Sequence, residues 1–150
     1  MRCGQRRHRR RVLGYGDARR SPRNGRRLDG VRLLLVEDHA DTREIYGRVL
    51  AAQGATVTAA SRADAAAEVL GIVDIVATDV SMPDDDGVWL LEHVRATAPS
   101  VPVIGISGFT KEQLPESAAA FDLLLLKPVD PWDLVENIAR VLQDRPRRTG

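Results

Sequence analysis

Four short apolar runs in this chain each end on a polar side chain, and no other feature restricts the possible folds as much. Val31 to Val36 leads into Glu37 and Asp38, Asp74 to Thr78 into Asp79, Val101 to Ile106 into Ser107, and Leu123 to Leu126 into Lys127. Longer amphipathic stretches separate them, the alternation expected of βα units around a parallel sheet. Parallel strands carry their carboxyl ends on one edge, so three carboxylates, a hydroxyl and an ammonium converge there. The pattern predicts an α/β fold, a five-stranded doubly wound parallel sheet in a single domain.

The elements can be placed from local chemistry. Strand one covers about Arg32 to Val36. The helix after it is expected to start at Asp41, a capping carboxylate completed by Glu44 three positions on, with Ile45, Val49 and Ala52 on its inner face. Thr56 to Ala60 forms strand two. Ser61 is expected to cap a helix with Val69 and Leu70 inward, which Gly71 ends in a left-handed turn. Asp74 to Thr78 forms strand three. Val88, Leu91 and Val94 then recur at helical spacing, and Pro99 stops that helix before strand four. Pro115 interrupts Lys111 to Ala119, so a short, broken or displaced element is expected there. The last helix has Asp130 as cap, Pro131 in its first turn and a buried stripe of Leu134, Val135, Ile138, Val141 and Leu142. Trp89 and Trp132 fall early in the third and last helices, partly exposed, and Phe109 is expected to plug a loop.

Charge is distributed very unevenly. Residues 1–30 hold eleven Arg against Asp17 and Asp29, and residues 144–150 hold three Arg against Asp144. Residues 31–143 hold 8 basic and 18 acidic groups, so the formal net charge of +1 hides an acidic globule with a basic arm. Residues 1–30 are read as a disordered arm or as translation from a mis-assigned start, residues 31–143 as the domain, and 144–150 as a flexible basic tail. The arm lacks interleaved aromatics and a helical stripe, so nucleic acid is not expected as a partner. Cys3 is the single cysteine, which leaves no internal disulfide and suits a reducing cytoplasm. No apolar run approaches the roughly 20 residues that span a bilayer, and none resembles a signal peptide.

The cluster itself suits Mg²⁺, which prefers oxygen ligands and takes one or two carboxylates together with a phosphate oxygen. Glu37, Asp38 and Asp79 supply the carboxylates. Asp79 can then act as nucleophile toward a phosphoryl group, with Lys127 as a point charge and Ser107 as a hydroxyl donor. Asp84, Asp85 and Asp86 are read as a solvated turn. His39, beside the acidic pair, is read as a surface residue at the start of a loop, although an imidazole there could also titrate or bind soft metals.

Leu35-Val36-Glu37-Asp38, Asp79 with Met82-Pro83 and Asp86-Gly87, Ser107, and Lys127-Pro128 together resemble the receiver domain of bacterial two-component response regulators. The resemblance covers about residues 31–143. It implies a flavodoxin-like sheet of order 2-1-3-4-5 and phosphorylation of Asp79 by a histidine kinase or histidine phosphotransfer protein. It further implies Mg²⁺ held by Asp38, Asp79 and the main-chain carbonyl of Ser81. Glu37 would act through water, Lys127 and Ser107 would touch the phosphoryl group, and Lys127-Pro128 would be a cis peptide. The domain would be a monomer or weak dimer in the cytoplasm, a self-modifying substrate rather than an enzyme, with self-phosphorylation and autodephosphorylation its only reactions.

Two positions depart from the family. Leu124 stands where many receivers carry Tyr or Phe three residues before the lysine, and the stretch from Ser107 to Phe121 is about two residues short and holds Pro115. Lys127-Pro128-Val129-Asp130-Pro131 with Leu124 looks more like receivers of hybrid histidine kinases than those joined to DNA-binding domains. A stand-alone receiver, a relay or sink component and a piece of something longer all remain open. Two rival functions are a Mg²⁺-dependent phosphohydrolase with Asp79 as nucleophile and a receiver-like module that binds partners without phosphate. The missing Asp two residues beyond Asp79 counts against the first, and the complete acidic, hydroxyl and lysine set against the second.

Overall fold

The computed structural model describes residues 26–68, 70–80 and 86–144. Its strands are β1 (Arg32–Val36), β2 (Thr56–Ala60), β3 (Ile75–Asp79), β4 (Val103–Ser107) and β5 (Leu123–Leu126). The α-helices among the described residues are α1 (Ala40–Ala52), α2 (Ala63–Ala67), α3 (Asp86–Thr97) and α4 (Pro131–Gln143). All strands run parallel in the order β2-β1-β3-β4-β5, the topology expected from the resemblance.

Alternating side chains divide the core between the two faces of the sheet. Leu33, Leu35, Ile75, Ala77, Ile104 and Ile106 face Tyr46 and Leu50 of α1 and Leu134, Val135 and Ile138 of α4. Leu34, Val36, Val76 and Val103 face Ala63 and Ala66 of α2 and Val88, Leu91 and Val94 of α3. The strand order reverses between β1 and β3, the position where open α/β sheets leave a crevice at the strands' carboxyl ends. The opposite edge is closed by ion pairs. Asp74 accepts from both the main chain and the guanidinium of Arg32, and Asp122 accepts from Arg95 and from the main-chain nitrogen of Val103.

Several expected details shift. Helix α1 begins at Ala40 after His39, whose backbone is extended, so Asp41 lies in the first turn instead of capping it, and Glu44 pairs with Arg48. Its inner face is Tyr46 and Leu50 with Val49 packed alongside as expected, while Ile45 is 51% exposed and Ala52 is exposed. Choosing Tyr46 for the interior moves the apolar stripe by one residue, because its ring packs in the core while its hydroxyl reaches the Val129 carbonyl at 2.9 Å. Helix α2 starts at Ala63 with Arg62, not Ser61, at the cap, and Arg62 pairs with Asp64. Leu70 is buried as expected, but Gly71 lies within a 3₁₀ turn (Leu70–Ile72) and has no positive φ, so the left-handed stop does not form there. Val69 lies outside the described residues. Two 3₁₀ turns, Lys111–Gln113 and Glu116–Ala120, occupy the segment interrupted by Pro115.

Helix α4 follows its expectation closely. The Asp130 carboxylate accepts from the Trp132 main-chain nitrogen at 2.7 Å, and Pro131 opens the first turn.

Residues 26–30, assigned above to the basic arm, lie against the domain. Leu28 is 1% exposed within the core shared by α1 and α4, and its main-chain nitrogen donates to the Gln53 carbonyl at 2.8 Å. Arg27 forms an ion pair with Glu136 of α4 at 2.7 Å. Gly54, at φ +101°, permits this approach, since a Cβ there would fall 2.7 Å from the Asp29 Cα. The packed body therefore reaches upstream of Val31. Leu28→Ala is expected to lower the unfolding free energy by about 2–5 kcal/mol, read from the urea midpoint at unchanged slope.

Candidate functional site

Strand register assembles the site. Val36 pairs with Thr78, so Glu37 emerges beside Asp79; Asp79 pairs with Ile106, and Ser107 pairs with Leu126 ahead of Lys127. Glu37 and Asp79 are buried to 1% and 3% exposure, while Asp38 is exposed at the rim. The Lys127 ammonium reaches an Asp79 carboxylate oxygen at 3.3 Å. The Lys127-Pro128 bond is cis, as the resemblance implied.

Glu37 is held on several sides. Its Oε2 accepts from the His39 main-chain nitrogen at 3.1 Å, and its carbonyl accepts from the Arg43 guanidinium at 2.8 Å. Its Oε1 is buried with no hydrogen-bond partner among the described residues. Burial raises the Glu37 carboxyl above the ordinary glutamate range, and the neighbouring Asp79 charge pushes it the same way. The same two carboxylates reach the Tyr46 phenol, which burial first and their charges second raise above its usual value.

A buried, unpartnered carboxylate oxygen in a group of acids is the position that a water on a bound cation would satisfy. The donor set is hard and anionic, so these residues fit Mg²⁺. The Ser81 carbonyl expected to complete that set, and Asp84 and Asp85, lie outside the described residues. Asp86 opens α3. Gly87 follows it so closely under β3 that an added Cβ would collide with the Asp79 carbonyl oxygen and lie 2.9 Å from the Val80 Cα.

Ser107 is fully buried, and its hydroxyl is occupied by a turn. It donates to the Phe109 carbonyl and accepts from the Phe109 nitrogen, both at 2.8 Å. Phe109, expected as a plug, is 45% exposed, because this turn fixes its main chain and leaves its ring outside the two core clusters. Leu124 does pack inward. A Cβ on Gly105 would meet Leu124 Cδ1 and Val80 Cγ2 at 2.9 Å and Phe121 Cε1 at 3.0 Å, so the space beneath β4 is filled. Arg43, Tyr46 and Gly87 were not singled out for these roles by sequence reasoning. The one local signal was a tyrosine at helical spacing from Leu50, whose hydroxyl needs a partner when buried.

A central acid paired with a lysine, beside a second buried acid at the strand-order reversal, is the arrangement of receivers. The family model described as "Response regulator receiver domain" matches residues 33–139, and the chain belongs to that family. It is thus a receiver domain of two-component systems, a class typically not enzymatic. An uncharacterized 14.6 kDa protein of Leptolyngbya boryana is 33% identical over 109 residues, 69% of this chain and 83% of that protein. The sensor protein TorS of Escherichia coli is 33% identical over 122 residues, 78% of this chain but 13% of TorS, so the chain corresponds to a small part of that relative. Among solved structures, the receiver domain of the hybrid histidine kinase CckA aligns with TM-score 0.62 and 32% identity, covering 75% of this chain and 99% of that one. The response regulator TrrA of Thermotoga maritima, solved in complex with Mg²⁺ and BeF, shares the fold at TM-score 0.67 and 22% identity over 74% of this chain and 98% of its own. No helix among the described residues is long and apolar enough to cross a membrane.

Because the raised Glu37 carboxyl binds its proton more tightly folded than unfolded, metal-free stability should fall as pH rises above the ordinary glutamate value. Glu37→Gln is expected to flatten that fall. At neutral pH in EDTA it should raise stability by about 1 kcal/mol or more, by removing a buried charge with an unpartnered oxygen. Added Mg²⁺ should shrink the difference, and thermal melts across pH with and without the ion check both statements.

Proposed function

We propose that this receiver accepts a phosphoryl group on Asp79 from the phosphohistidine of a histidine kinase or histidine phosphotransfer protein. The observation that carries the proposal is the buried Asp79 carboxylate, paired with Lys127 at 3.3 Å and crowded by Glu37. An Asp79 oxygen attacks phosphorus, the P–N bond to the donor imidazole breaks as the P–O bond forms, and the electron pair leaves with the imidazole nitrogen, which takes up a proton. Lys127 balances charge on the transferred oxygens. A Mg²⁺ ion bound by Asp38, Asp79 and the Ser81 carbonyl would supply further electrostatic stabilisation. Glu37 would act on that ion through a water.

Ser107 links this chemistry to conformation. To donate to a phosphoryl oxygen its hydroxyl must give up the hydrogen bond it donates to the Phe109 carbonyl, so phosphorylation loosens the turn after β4. Leu124 contributes by filling the space under Gly105, without the phenolic hydroxyl that other receivers move between buried and exposed positions. The setting is the cytoplasm, with the CckA resemblance favouring a relay of the hybrid-kinase type.

Incubation with acetyl phosphate or phosphoramidate and Mg²⁺ should add one phosphate by intact-mass spectrometry. Asp79→Ala and EDTA should each abolish the adduct, and Lys127→Ala should reduce it by at least about tenfold. An unmodified parent protein that also fails to bind beryllofluoride would reject the proposal. Gly87→Ala, by displacing the Asp79 main chain, should reduce adduct formation although residue 87 bears no reactive group.

A further inference from the structure

The acids and the lysine of the site come from segments far apart in the chain. Glu37 and Asp38 lead into α1, Lys127 follows β5, and a hydrogen bond joins the two segments: the Tyr46 hydroxyl of α1 donates to the Val129 carbonyl, 83 residues away, at 2.9 Å. From this bond we infer that Tyr46 is a positioning residue for phosphoryl transfer: by holding the Val129 carbonyl it fixes the root of the Lys127 side chain, and with it the place of the ammonium beside Asp79. The inference rests on the reading that Asp79 accepts the phosphoryl group while Lys127 balances its charge.

The main chain around Lys127 is held differently on its two sides. Upstream it belongs to the sheet, where β5 pairs with β4 and the Lys127 main-chain nitrogen donates to the Ser107 carbonyl at 2.7 Å. Downstream the chain leaves that edge strand through Pro128, which has no N–H to donate, and α4 begins only at Pro131. Val129 lies in this gap between regular elements, and its carbonyl is the group that Tyr46 takes. A lysine carries its charge on a flexible four-carbon stem, so fixing the main chain on both sides limits how far the ammonium strays from Asp79, 3.3 Å away.

The hydroxyl has a use beyond packing. Tyr46 is buried in the core that α1 shares with Leu134 and Val135 of α4, where a phenylalanine ring would serve as well. Its oxygen adds a polar group that burial requires to be paired, and the partner lies outside its own helix, on the segment that carries the lysine. The donor is also durable, since burial and the charges of Glu37, Asp79 and Asp130 all raise the phenol, which keeps its proton across the neutral range. Helix α1 is tied to the acids as well, because the Arg43 guanidinium donates to the Glu37 carbonyl at 2.8 Å. One helix thus holds the main chain of both the inner acid and the lysine segment.

The test is a double-mutant cycle on the full-length protein, with the rate of adduct formation from acetyl phosphate and Mg²⁺ followed by intact-mass spectrometry in the parent, Tyr46→Phe, Lys127→Ala and the double variant. Tyr46→Phe should slow the reaction about fivefold, the size expected for the loss of one hydrogen bond. In the Lys127→Ala background the same substitution should change the rate by less than about twofold, because no ammonium is left to place. Leu50→Val trims the same core without touching Val129 and serves as the stability control: it should lower the urea midpoint and leave the rate unchanged. Equal rates in the parent and Tyr46→Phe would overturn the inference, as would a fivefold loss that persists without Lys127 or one that Leu50→Val reproduces. The underlying reading fails in a different way: a parent that takes no phosphate, or an Asp79→Ala protein that still takes it, removes the phosphoacceptor and the inference with it.

Discussion

Glu37 and Asp79 are two carboxylates placed side by side at the end of an apolar sheet, where water reaches neither well. Like charges at close range in a poorly solvated place repel strongly, and burial itself disfavours ionisation. The surrounding structure answers this strain piece by piece. Lys127 is drawn to Asp79, the His39 nitrogen caps one oxygen of Glu37, and Arg43 fixes the Glu37 main chain. One Glu37 oxygen stays unpartnered among the described residues. The site is therefore poised to gain from a cation and from charge redistribution at Asp79, which is what a phosphoacceptor requires.

The rest of the fold keeps these groups in register. Val36 opposite Thr78 sets Glu37 beside Asp79, and Gly87 lets α3 approach the Asp79 carbonyl more closely than any side chain would allow. Across the other face, the Tyr46 hydroxyl ties α1 to the segment after Pro128, so the lysine and the acidic pair are braced by one helix. Arg95 and Asp122 close the opposite edge of the sheet, far from the chemistry. On the proposed function, the Ser107–Phe109 turn is where a change at Asp79 would be expressed, because its hydrogen bonds are made by the hydroxyl proposed to contact the phosphoryl group.

The strands and their acidic, hydroxyl and lysine ends were legible in the sequence, while the strand order came from the family resemblance. Short apolar runs with fixed polar ends are local signals, and in a parallel sheet a strand's direction determines which edge its last residue occupies. The cap of α4 was legible for the same reason, since Asp130 and Pro131 act on backbone groups two residues away. The inner face of α1 was not. A stripe of Ile45, Val49 and Ala52 satisfies helical spacing as well as one of Tyr46, Val49 and Leu50, and the choice was made by the Val129 carbonyl and the ends of the strands beneath. Phe109 looked like a plug because it is aromatic, but the turn around Ser107 sets its position.

The domain's upstream limit shows the same division. The composition of residues 1–30 is that of a solvated arm, and nothing local marks Leu28 as core. Its burial depends on Gln53, Gly54 and Glu136, groups 25 to 108 residues away, which only the folded chain brings together. By itself the sequence determined which chemistry stands at the sheet edge, because strand polarity and side-chain type are local properties. Tertiary structure decided how strongly those groups act on one another, because burial, register and unpartnered atoms exist only once distant segments are packed.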